Sequence, residues 1–252
     1  MKPALLAEWT KLRTVPGPLW LLLTTAAATA ALSAGAASVL SCTPAGCNGD
    51  VTRASLMGVQ LGQAPVAVLA VLAISGEYGS GMIRTTLTAV PRRAAVLAAK
   101  AVTLAGVLAP AATAAVTGSL LAGRLALPSP ADQALSLSHG PTLRAAVGSV
   151  LYLLLIALLS LGIATAVRDS ATSIGIVLAL LYVVPVVGAA IGDPHWQRLL
   201  QQTAPTSAGL AIQATTDLTS LPITPWAGLG VTAAWSFTAL STAALVLHKR
   251  DP

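Results

Sequence analysis

Six long apolar runs, each bounded by charges, prolines or glycines, set the pattern of this chain, at about 19–40, 54–75, 101–121, 145–167, 170–192 and 226–247. Each is apolar on every face over roughly 20 residues, enough to span a bilayer at about 1.5 Å per residue. Lipid offers the backbone no hydrogen bonds, so only helices and closed barrels cross it. A barrel strand would alternate apolar and polar positions over about 10 residues. These runs do not alternate. The pattern predicts an all-α polytopic membrane protein with six transmembrane helices, forming a single transmembrane domain over 1–252.

Composition agrees. The chain is 55% hydrophobic and 9% charged, with a mean hydropathy of +0.80, where a soluble domain carries about 25% charge. The first run is too long for the apolar region of a signal peptide and is expected to stay as an anchor.

Charge sets the orientation. Ten of the 14 lysines and arginines fall on one side of the predicted spans: Lys2, Lys11, Arg13, Arg84, Arg92, Arg93, Lys100, Arg168, Lys249 and Arg250. The other side has Arg53, Arg124, Arg144 and Arg198, while the acidic residues divide evenly. Basic residues in short loops stay inside, so both termini are expected in the cytoplasm and the protein in the cell (plasma) membrane. The whole net charge of +6 then lies on the inner surface. Anionic membrane lipids attract such charges by about 1 kcal/mol each, and no nucleic acid is needed to explain them.

The intervals between runs differ in character. At 3–15, Leu5, Leu6, Trp9 and Leu12 repeat at helical spacing while Glu8, Lys11 and Arg13 face elsewhere. This predicts an N-terminal helix lying in the membrane interface; the alternative is a basic flank that orients the first span. The loop 41–53 holds both cysteines, Cys42 and Cys47. A disulfide is permitted there if the loop faces outward; two free thiols are the alternative. In the second run, Gly58 and Gly62 are spaced for close helix approach. Gln60 and Gln63 are candidates for a translocation path, with helix packing as the commoner role of such residues. The interval 193–225 is moderately apolar but broken by prolines, which suits short helices dipping into the outer leaflet or an ordinary surface loop.

The stretch 76–100, GEYGSGMIRTTLTAVPRRAAVLAAK, is the long charged interval between two apolar runs. Glu77 is expected at the membrane boundary, because a carboxylate at mid-bilayer costs several kcal/mol. Gly79 and Gly81 allow a sharp turn, and Pro91 ends any helix formed by 82–89. We read this stretch as a docking loop for a soluble partner, against the plainer reading of a basic loop that sets topology.

Motifs for chemistry are missing. The spans as drawn contain no Asp, Glu, Lys, Arg or His, which argues against an ion-coupled carrier. There is no P-loop motif, HExxH or GxSxG, and the three histidines, His139, His195 and His248, are scattered. No catalytic residue, metal site or cofactor is expected in this chain.

Six spans, the amino-end segment AEWTKLR, the 76–100 stretch, and the later segments PTSAGLAI and PWAGLGVTAAW resemble the permease subunits of ATP-binding-cassette transporters, type-2 exporter family, in its actinobacterial form. The resemblance covers nearly the whole chain and is most specific after span two. It implies a coupling helix between spans two and three that sits in a cleft of a separate cytoplasmic ATPase subunit. Glu77 matches the family's acidic residue, Gly81 the turning glycine, Pro91 the terminating proline and Lys100 the basic residue opening span three. Tyr78, Arg84, Arg92 and Arg93 complete the implied docking surface. Many members carry an arginine where this chain has Ala94. The resemblance further implies a second permease chain, identical or related, with ATP and Mg held by the ATPase. The function so implied is export across the cell membrane without enzymatic activity in this chain. The alternative is a membrane scaffold or sensor that recruits a cytoplasmic partner through the same loop.

Overall fold

The computed structural model describes residues 16–40, 42–43, 46–47, 49–79, 81–82, 93–127, 135 and 140–249. The interfacial helix expected at 3–15 and the part of the docking loop with Arg84, Pro91 and Arg92 lie outside them. In chain order the elements are α1 (Pro16–Ser38), β1 (Cys42–Thr43), β2 (Gly46–Cys47), α2 (Val51–Ser55), α3 (Val59–Gly79), α4 (Arg93–Ala126) and α5 (Gly140–Val167). Then come α6 (Ser170–Leu178), a π-helical segment (Ala179–Val183), α7 (Val184–Ala190), α8 (Pro194–Thr203) and α9 (Pro205–Gly209). Two 3-10 turns (Leu210–Gln213 and Leu218–Ser220) and α10 (Pro225–Lys249) complete the order.

Six stretches among the described residues are long and apolar enough to cross a membrane: Trp20–Ser38, Val51–Gly79, Ala94–Ala126, Gly140–Val167, Ser170–Ala190 and Pro225–Lys249. The molecule is an all-α polytopic membrane protein. Large apolar side chains such as Trp20, Leu125, Phe237 and Leu245 point outward, as suits a bundle whose surroundings are hydrocarbon. The helices run further than the apolar runs. The third starts at Arg93 and continues through Pro110 to Ala126, so the spans are not free of charge: they take in Arg53, Glu77, Lys100, Arg124, Arg144, His248 and Lys249 near their ends.

α5 is the centre of the bundle and packs on α3, α4 and α10. α1 packs on α3 and α4. Its buried stripe is Thr25, Thr29 and Ser33, four residues apart and so on one helix face. Thr25 and Thr29 donate back to Leu21 O and Thr25 O at 2.7 and 2.8 Å, which silences their polarity inside the helix pair. Gly58 and Gly62 face this stripe. A Cβ on them would lie 2.0 Å from Thr29 O and 2.1 Å from Thr29 Cγ2, so the close approach expected of that spacing is realised against α1.

The interval 193–225 forms a hairpin that enters the bundle. α8 leads in, the chain turns at Ala204, and 205–213 returns. Trp235 Nε1 donates to Thr203 O at 2.8 Å and Thr232 Oγ1 to Pro205 O at 2.9 Å. Those partners lie seven and ten residues into α10, about 10–15 Å along it. Non-helical backbone at such depth is tolerated only where protein covers it. Ala204, Pro205 and Thr206 are indeed buried. The returning limb fits because its neighbours lack side chains: a Cβ on Gly228 would meet Ala208 O at 2.0 Å, and one on Gly148 would meet Ile212 Cγ1 at 2.0 Å.

Candidate functional site

The helix ends that flank the 80–92 interval are tied together. Glu77, in the last turn of α3, and Lys100, two turns into α4, form an ion pair at 2.8 Å between Oε1 and Nζ, and both are buried. Lys100 Nζ also reaches Ala73 O at 3.4 Å. Glu77 lies in the last turn of α3, near the end of its span, and its side chain is covered by protein there together with a counter-charge. Removing a buried charge's partner costs far more than the pair contributes, so the two residues hold or fail together.

Tyr78, the next residue, packs its ring under the Arg168 guanidinium, 5.6 Å from the ring centroid. Arg168 closes α5, with φ of 67° and its N–H on Ala164 O at 2.9 Å. A left-handed conformation costs a non-glycine residue about 1–2 kcal/mol, which the cation–π contact helps to offset. Asp169 follows and caps α6 through Thr172 N at 2.8 Å. Its hydrogen bonds with Thr172 hold that carboxyl below the usual value. Gly81 has φ of 70°, a conformation open to glycine, and its N–H bonds Tyr78 O at 3.2 Å. Of the residues assigned to docking, Glu77, Tyr78 and Gly81 therefore cluster at one end of the bundle, and Arg93 is the first residue of α4.

Gln60 and Gln63 separate. Gln63 is wholly buried and its Oε1 accepts from the Tyr152 hydroxyl, a link between α3 and α5. Gln60 is exposed on the side of the bundle, and its carbonyl accepts from Tyr182 at 2.8 Å. Neither lines a groove of about 680 Å³ between α5, α6 and α10, which lies against Gly162, Ala166, Ile176, Trp235 and Ala239. That groove is apolar. A polar cleft of about 420 Å³ lies between α8 and Thr219–Pro222, lined by Gln197, Arg198, Gln201 and Gln202.

The opposite end is closed by hydrogen bonds. Asp50 caps α2 through Arg53 N at 3.0 Å and reaches across to Thr215 N at 2.5 Å, Thr215 Oγ1 at 2.7 Å and Thr216 N at 3.1 Å. Burial pushes its carboxyl up, but these bonds outweigh burial and hold it below the usual value. Arg144 Nη2 donates to Ala214 O at 2.5 Å, and Gln213 Nε2 to Ser149 Oγ at 3.1 Å. Beside them β1 and β2 pair Cys42 opposite Cys47. Cys47 is disulfide-bonded and Cys42 is the other cysteine of the chain, which resolves the two alternatives in favour of the disulfide.

Sequence reasoning missed Asp50, Arg144, Gln213, Tyr152 and Tyr182. A tyrosine inside an apolar run was the available signal, since its hydroxyl must find a partner when buried. Among the described residues no group of three or more His, Cys, Asp or Glu is placed to hold a metal. Compared with known proteins, the chain matches no family model and no curated sequence.

Proposed function

We propose that this chain is the transmembrane permease subunit of an ATP-binding-cassette exporter, driven by a separate ATPase docked at 76–93. The observation that carries the reading is the buried Glu77–Lys100 pair at 2.8 Å. It ties the two helices that hold the charged interval, and Tyr78 ties the same point to Arg168 at the α5–α6 turn. A push on the interval therefore reaches three helix junctions at once, which is what a protein moved by a partner requires. Small residues at the close contacts of Gly58, Gly148 and Gly228 suit helices that move as rigid bodies.

The orientation of the proposal has two supports of different kinds. By sequence, ten of the 14 lysines and arginines fall on the side of the predicted spans to which Lys100 belongs, as expected for a cytoplasmic surface. The disulfide is at the other end, as expected for an oxidising exterior. On this reading the membrane is the cell membrane, ATP and Mg sit on the ATPase, and a second permease chain, identical or related, completes the path.

Charge reversal at Arg92 and Arg93, singly and together, tests the docking surface; Glu77 is buried against Lys100 and is left intact. The expected result is loss of most of the co-purifying ATPase, and of ATP-driven export, at unchanged membrane insertion. Normal export with undiminished ATPase binding in all these variants overturns it.

A further inference from the structure

Three of the spans carry a break in their hydrogen-bond ladder; one is at Pro110 in α4, and the other two face each other. In α3 the break is Pro65. It has no N–H, so Leu61 O, four residues back, loses its helical donor and is crowded by the ring. In the fifth span the chain is π-helical over Ala179–Val183, with Val184 N–H bonding Ala179 O five residues back. Pro185 follows in α7 and removes the donor owed to Leu181 O. Single π turns of this kind tend to mark functional positions in helices.

Tyr182 lies in the π segment, and its hydroxyl crosses to the other break. It donates to Gln60 O at 2.8 Å and also approaches Leu61 O at 3.3 Å. The phenol is thus inserted into the ladder of α3 at the point Pro65 weakens, a recognised cause of helix bending. Gln60 and Leu61 are exposed on the side of the bundle, where a bilayer supplies no water to replace a lost donor.

We propose that Tyr182 is the positioning residue of a hinge: its hydroxyl donates into the turn that Pro65 weakens, chiefly to Gln60 O at 2.8 Å with Leu61 O at 3.3 Å, pins the 60–65 turn to the π segment, and lets the two spans part when it is released. The use of this hinge in a transport cycle rests on the function proposed above; the hinge itself does not.

The test is hydrogen exchange by mass spectrometry on the full chain in lipid nanodiscs, read over 59–66 with 150–160 of α5 as the internal control. Tyr182→Phe removes the donor and is expected to speed exchange at 59–66 at least tenfold with the control unchanged. Adding Pro65→Ala returns an N–H to Leu61 O, so the double variant is expected to fall back to the wild-type rate. Unchanged exchange in Tyr182→Phe overturns the proposal. So does faster exchange that persists in the double variant, which would assign the phenol to packing alone. If Tyr182→Phe does not fold, folding of the double variant supports the hinge and its failure to fold overturns it. Neither an ATPase nor a substrate is required, so a negative result here leaves the docking experiment standing, and the reverse.

Discussion

At the Asp50 end, one carboxylate and one guanidinium reach across to 214–216 and bind mainly backbone groups, and Gln213 reaches back to Ser149 Oγ. At the Lys100 end, the cross-links are between side chains, Glu77 to Lys100 and Tyr78 to Arg168. The first kind of closure fixes the backbone in many places and is backed by a disulfide. Among the described residues, the second couples through two side-chain pairs at the helix ends bordering the 80–92 interval. Under the proposed function, strong local links of this kind let displacement of one helix drag its neighbour. The other end keeps its hairpin seated whatever happens at the first.

The comparison can be broken by substitution, and the largest effect is expected at the Lys100 end. Lys100→Met leaves Glu77 buried without its cation and is expected to cost about 3–5 kcal/mol of stability. Glu77→Gln with Lys100→Met should recover most of that, as read by thermal unfolding in nanodiscs; no recovery would mean that the pair is not the coupling element. Next comes the seat of the hairpin. Gly228→Leu drives a side chain into Ala208 O and is expected to cost about 3 kcal/mol, whereas Gly230→Leu, with nothing within 4 Å of its Cβ, should be tolerated. Equal losses in both would count against the packed hairpin. Reduction of the disulfide opens a very short loop and is expected to cost about 2 kcal/mol on chain-entropy grounds, visible as a lower melting temperature in reductant that Cys47→Ser reproduces.

The smallest effect is expected at Asp50. Asp50→Asn keeps the cap but replaces a charged acceptor of the Thr215 and Thr216 N–H groups, and should cost about 1 kcal/mol. Because the folded carboxyl lies below its ordinary value of 3.8, the charged form is the one the fold favours. Its contribution is fully present above about pH 4 and is lost as pH falls through the folded value. Wild type should therefore lose more stability than Asp50→Asn between pH 5 and pH 3, compared by melting temperature at each pH. Parallel curves would remove Asp50 from the account.

How much of this was legible follows from the distances along the chain over which each feature is decided. Spans are local: 20 apolar residues in a row are enough, and all six appear where the runs lie. Their ends are not local. Whether Lys100 lies in water or inside a helix depends on Glu77, which is 23 residues away. The hairpin was visible only as an apolar interval broken by prolines. α8 is polar on one face, and 205–213 is held in place by Gly148, Thr232 and Trp235, so no window of sequence contains the reason for its burial. Asp50 and Thr215 are 165 residues apart, which is why the clasp at that end left no trace in the local pattern. Gln63 drew attention as a polar residue in an apolar run, but its partner Tyr152 decides that it links helices.

Site-specific photo-crosslinking from position 84 in native membranes tests the central claim most directly. A benzophenone side chain replacing Arg84 is expected to capture a cytoplasmic protein whose sequence, read by mass spectrometry, carries a Walker A motif, and to do so more efficiently when ATP is present. Capture of a kinase or another regulator instead, or labelling of position 84 from outside intact cells, would contradict the account.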